Sequence, residues 1–67
     1  MLVYKIDVLE KLKENGFNTT RLRREKLLTE STIQDLRNGK VVGIIALEKI
    51  CAMLNMQPGD LIEYKRG

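Results

Sequence analysis

The chain is 67 residues long, enough for one domain and too short to hold a catalytic or ligand-sensing domain beside it. It is 43% apolar and 31% charged, with a formal charge of +3, a balance that fits a folded module and excludes disordered and fibrous chains. It has no histidine and one cysteine, Cys51, which removes an internal disulfide and the usual zinc and acid-base sites. No apolar run approaches the roughly 18 residues of a membrane helix, and the opening MLVYKIDV lacks a basic leader and a small-residue cleavage site. The expectation is a single cytoplasmic domain spanning 1–67, with no metal, cofactor or small-molecule substrate and no membrane partner.

In chain order, Ile6, Val8, Leu9 and Leu12 recur at near-helical spacing. Asp7 can cap that run and Asn15-Gly16 can stop it, so a first helix is predicted over about 7–15. After Phe17, Asn18 or Thr19 can cap a short second helix through TRLRREK, with Leu22 facing the core and Leu27 or Leu28 joining it. Thr29 is a natural cap for ESTIQDLR, in which Ile33 and Leu36 point inward and Asn38-Gly39 end the run. That predicts a third helix over about 30–38. In IIALEKICAMLNM, Leu47, Ile50, Cys51 and Leu54 fall at i, i+3, i+4 and i+7, the clearest amphipathic helix of the chain, with Cys51 as a buried core thiol. Pro58 can open a final turn that docks Leu61, Ile62 and Tyr64 on the core. Tyr4 and Tyr64 either pack together or join a contact between copies. The strand-like patterns at Leu2 to Tyr4 and Val41 to Val42 are too short to predict a sheet, so the fold class expected is all-α, with five helices.

Charge is unevenly placed. Between Arg21 and Lys40 lie six basic residues (Arg21, Arg23, Arg24, Lys26, Arg37, Lys40) against three acidic ones (Glu25, Glu30, Asp35), while the remainder balances at six against six. A positive field confined to one stretch suits a phosphate-binding surface, and equally a solvated helix face. On the third helix, Ser31, Gln34, Asp35 and Asn38 also fall at i, i+3, i+4 and i+7, nearly opposite Ile33 and Leu36, with Glu30 and Arg37 flanking. Short polar groups of this kind match base edges: Gln and Asn can bridge adenine, Ser can bond either kind of edge, and a carboxylate can accept from cytosine.

The run ESTIQDLRNGK and the later ALEKICAMLNMQPGDLIEY resemble the Cro and phage-repressor type (XRE-type) helix-turn-helix domains, over about residues 4–64. The resemblance implies a compact five-helix, lambda-repressor-like domain, with the second helix across the DNA backbone and the third in the major groove. It also implies a prokaryotic or phage transcriptional regulator. Two positions depart from the family pattern: Arg23 stands where a small residue is usual on the second helix, and Leu27 where the turn usually has Gly. Either the turn is shifted by a residue or it avoids the left-handed conformation.

The function expected is sequence-specific binding of double-stranded DNA, with transcriptional regulation, repression in particular, as its outcome. Thr19, Thr20, Arg21, Arg24, Arg37 and Lys40 would hold phosphates, and Glu30, Ser31, Gln34, Asp35 and Asn38 would meet base edges. A lone domain reads about one half-site, so a homodimer is a candidate assembly, with Met53 and Leu61 to Tyr64 as contact surfaces. The rival is a protein-interaction module, antitoxin-like or an anti-regulator, using the carboxylates of Glu30 and Asp35. Neither a nucleophile-base pair nor a metal cluster nor a phosphate loop supports an enzyme.

Overall fold

The computed structural model describes residues 1–66. In chain order it contains β1 (Leu2–Tyr4), α1 (Val8–Glu14), α2 (Thr19–Arg24), α3 (Glu30–Arg37), α4 (Ile44–Leu54), α5 (Pro58–Leu61) and β2 (Ile62–Tyr64). The five predicted helices are present, each slightly shorter than its apolar pattern. Their starts follow the caps: Asp7 accepts from the Glu10 N–H, Asn18 from that of Arg21 and Thr29 from that of Thr32. Each side chain thereby satisfies one of the amide donors left unpaired in a first helical turn.

Helix ends are equally uniform. Past α1, α2, α3 and α4, a residue with positive φ turns the chain back: Gly16, Lys26, Gly39 and Asn55. The next N–H then reaches the carbonyl five residues earlier, Phe17 to Leu12 at 2.8 Å, Leu27 to Leu22 at 3.0 Å, Lys40 to Asp35 at 2.8 Å and Met56 to Cys51 at 3.0 Å. This is the Schellman arrangement, for which glycine is the favoured residue and asparagine the next. The exception is Lys26, at φ 54°. The turn after α2 is therefore shifted: Lys26 takes the left-handed conformation, and Leu27 stays free to pack half-buried against the core.

Among the described residues, ten side chains form that core: Val8, Leu12, Leu22, Leu28, Ile33, Leu36, Val42, Ile50, Leu54 and Leu61. Each helix contributes, and Leu28 and Val42 come from the loops on either side of α3. Cys51 and Met53, expected in the core and on the outer face of α4 respectively, are both half-buried against it.

The all-α expectation is corrected by a small sheet. β1 and β2, from opposite ends of the chain, pair antiparallel with Leu2 opposite Tyr64, Val3 opposite Glu63 and Tyr4 opposite Ile62. Three residues carry too little periodicity to announce a strand; the long-range pairing and the docking of Tyr4 and Ile62 on the core make one. The two tyrosines do not face each other across the sheet. The Tyr4 hydroxyl donates to the Lys40 carbonyl at 2.9 Å and accepts from the Val42 N–H at 3.0 Å, which ties β1 to the loop after α3. Burial raises the Tyr4 phenol above its ordinary value, the Val42 N–H works against that rise, and the Asp35 charge adds to it. Tyr64, expected to dock on the core, is instead 69% exposed. No helix among the described residues is long and apolar enough to cross a membrane.

Candidate nucleic-acid interface

α2 and α3 are joined by the short turn Glu25 to Thr29, and Leu22, Leu28, Ile33 and Leu36 hold both helices on the same core. With Ile33 and Leu36 buried, helical periodicity turns Ser31, Gln34 and Asn38 outward, and all three are exposed. Asp35 lies at the margin of this face, half-buried and on the side of Tyr4. Arg37 donates to the side-chain oxygen of Gln34 at 3.3 Å, a long contact between two exposed groups that a better partner can displace. Asn38 is the C-cap of α3, followed by Gly39 at φ 76° and then Lys40.

Two of the predicted charges are already engaged within the chain. Glu30 receives both a 2.6 Å bond from Arg23 Nε and a 2.9 Å bond from Arg23 Nη2, a two-pronged pair across the turn. Those hydrogen bonds hold the Glu30 carboxyl below the usual carboxylate range, aided by the charges of Arg23 and Arg37, and raise the Arg23 guanidinium. Arg21 donates to Glu25 at 2.8 Å and to the Gly16 carbonyl at 3.1 Å, with its guanidinium 4.5 Å from the centre of the Phe17 ring. It clamps the start of α2 to the end of α1 by hydrogen bonds and cation–π attraction. The Arg21–Glu25 pair is legible in sequence from its i, i+4 spacing. The Arg23–Glu30 pair is not, because residues seven apart meet only once the turn between the helices is known. It also answers the departure at Arg23: with the turn shifted, this side chain lies outward against Glu30 instead of between the helices.

Taking those pairs out leaves Arg24, Lys26, Arg37 and Lys40 as the cations of this stretch, against Asp35. The Arg24 side chain is 70% exposed and only loosely placed by Glu25, at 3.9 Å. At the other end of α2, an open groove runs along α1, past Asp7, Glu10 and Lys13, and takes in Asn18 and Thr19 on one side and Arg37 and Gly39 on the other. Thr20 is exposed in the same first turn. Thr19 and Arg37 thus border the same groove, Thr20 is exposed beside Thr19, and Arg21 and Glu30 are set into internal contacts.

A paired set of short helices of this kind, with the second one polar outward, is matched over residues 6–67 by the family described as Cro/C1-type HTH DNA-binding domain. The chain belongs to that Cro/C1-type helix-turn-helix family. A similar protein is the Bacillus subtilis (strain 168) "Uncharacterized HTH-type transcriptional regulator YozG", 33% identical over 66 residues, covering 96% of this chain and 76% of the relative. No solved structure gives a significant match. The Cro/C1-type match begins after β1, so the first strand lies outside the segment by which the family is recognised.

Proposed function

We propose that this chain is a transcriptional regulator that inserts α3 in the major groove of duplex DNA and represses by occupying its operator. The observation that carries this reading is the exposed set Ser31, Gln34 and Asn38 on one face of α3, with the exposed cations Arg24, Arg37 and Lys40 on the same two helices and the loop after them. Gln34 and Asn38 can bridge adenine N6 and N7, and Ser31 can bond either kind of base edge. Asp35 would accept from cytosine at the margin, and Glu30 is better suited to holding Arg23 in place than to reading bases. Thr19 and Thr20, with the amides of the first turn of α2, would take one phosphate strand together with Arg37; Arg24 and Lys40 would neutralise others. Arg21 would act through its clamp on α2. Repression needs nothing beyond occupancy, and the relative's description as a transcriptional regulator supports regulation. The rival, a protein-interaction module, drew its support from two carboxylates on this face; one of them is neutralised by Arg23 and the other is half-buried. A lone α2–α3 unit covers one half-site, so two copies on a pseudo-palindrome are the binding unit.

The test separates reading from holding. After selection of a preferred duplex from a random library, Gln34→Ala is expected to weaken that site by about 1–3 kcal/mol and leave random DNA almost unchanged. Arg24→Ala should weaken both alike and make the salt slope shallower by about one unit per copy. With three phosphate-facing cations per chain, the slope of log K against log salt should be about −2.7 per bound copy. Equal behaviour of the two variants would remove α3 as the reader, and a slope near zero would favour the protein-interaction reading.

A further inference from the structure

Glu30 is the first residue of α3, and the leading residues of a helix laid in the major groove are the ones that reach base edges. A carboxylate in that place works against DNA binding, because the phosphates on either side of the groove repel it. Its position makes the conflict direct: Glu30 and Gln34 are one helical turn apart on the same stripe of α3. Burial does not remove the charge, since the Glu30 side chain is 60% exposed.

Arg23 removes it instead. Its guanidinium donates to one carboxylate oxygen at 2.6 Å and to the other at 2.9 Å, so both oxygens are engaged and the pair has no net charge. Lys26 from the turn and Lys49 from α4 line the same hollow as Glu30, and Arg37 acts on it from α3 itself. The charged groups that face this carboxylate are therefore cations, and Arg23 is the one at ion-pair distance among the described residues. An arginine fork fits a phosphate as well as it fits a carboxylate, so DNA offers Arg23 a second partner. Taking it would exchange one ion pair for another and leave Glu30 bare in the groove, a net loss by the repulsion that follows.

We propose that Arg23 is a positioning residue of the DNA-binding surface: it keeps the Glu30 carboxylate paired in the bound protein as in the free one, so that the leading end of α3 enters the groove without a net negative charge. The inference rests on the reading of α3 as the helix in the groove and takes it one step further. Arg23 contributes to DNA affinity through a carboxylate of its own chain and not through a phosphate. Without Arg23, Glu30 regains its charge and its ordinary titration, and DNA binding becomes sensitive to its protonation: the bound state favours the neutral carboxyl, so affinity rises as pH falls.

The test is fluorescence anisotropy on random duplex DNA at fixed salt, from neutral pH down through the carboxylate range, with far-UV circular dichroism confirming the fold at each pH. At neutral pH, Arg23→Ala is expected to bind roughly three- to tenfold more weakly than the parent, and to regain that loss as pH falls through about 6 to 4. Arg23→Ala with Glu30→Gln should bind within about twofold of the parent at neutral pH. Arg23→Ala with Glu63→Gln, which removes an exposed carboxylate from β2 instead, should stay weak. A turn merely damaged by the loss of Arg23 would be rescued by neither. Other carboxylates titrate in every variant, so the signal is the extra rise of Arg23→Ala over its Glu30→Gln double, and the parent should follow the double. Three results would each overturn the proposal while leaving DNA binding intact: an Arg23→Ala variant as tight as the parent, no better rescue by Glu30→Gln than by Glu63→Gln, or a parent that shows the same extra rise as Arg23→Ala. A parent that fails to bind duplex DNA even at low salt would instead refute the DNA reading, and this proposal with it.

Discussion

Replacing Lys26 with glycine is expected to stabilise this protein, although the exchange removes a side chain and adds no contact. Lys26 holds the left-handed position that ends α2, at φ 54°, where Gly16 and Gly39 end α1 and α3. A Cβ in that conformation costs roughly 1–2 kcal/mol. Glycine removes the strain but brings about 0.4–1 kcal/mol of extra unfolded-chain freedom. The difference is a net gain of about 0.5–1 kcal/mol, or roughly 2–8 °C in melting temperature for a chain of this size. Gly39 supplies the converse: its φ is +76°, and nothing lies within 4 Å of the Cβ that alanine would add. Gly39→Ala therefore adds backbone strain with no steric clash, partly offset by the unfolded-chain freedom that alanine removes, and should lose about 0.5–1 kcal/mol. Lys26→Ala keeps the Cβ while removing the charge, and should stay within about 0.5 kcal/mol of the parent. Urea unfolding followed by far-UV circular dichroism, with an unchanged m value, measures all three. If Lys26→Gly is no more stable than Lys26→Ala, the left-handed strain is not what limits this turn.

Tyr4→Phe is expected to cost about 1–2 kcal/mol in the same assay, because it strips a partner from the Val42 N–H and the Lys40 carbonyl together. The raised Tyr4 phenol gives a signed pH effect: its contribution is fully present below the unfolded value near 10.0 and is lost as pH rises through the higher folded value. Alkaline unfolding of the parent should show that loss and Tyr4→Phe should lack it. Glu30 titrates in the opposite sense, its contribution being present above the unfolded carboxylate value and lost as pH falls through the depressed folded one. Carbon-detected NMR of the Glu30 carboxyl should place its midpoint below the usual carboxylate range and see it return there in Arg23→Ala; an unmoved midpoint would break the assigned pairing.

Local chemistry is what the amino-acid order determined by itself. Caps such as Asp7 and Thr29, the stops at Gly16 and Gly39, and the apolar spacing of Ile33 with Leu36 act within a turn or two of helix, so they are readable without knowing the fold. The outward set Ser31, Gln34 and Asn38 was legible for the same reason, since burying one side of a helix exposes the other. What only the tertiary structure decided involves residues distant in the chain or joined through a turn. The strand Leu2–Tyr4 exists because Ile62–Tyr64 returns beside it and the core lies beneath, and three residues cannot encode that pairing locally. The left-handed residue is Lys26 and not Leu27 because the core claims the Leu27 side chain, and moving the strain one residue earlier leaves that leucine half-buried. The fates of Arg21, Arg23 and Glu30 followed from the resulting turn: their charges were visible in the sequence, but which of them neutralise one another depends on distances that only the packed helices set.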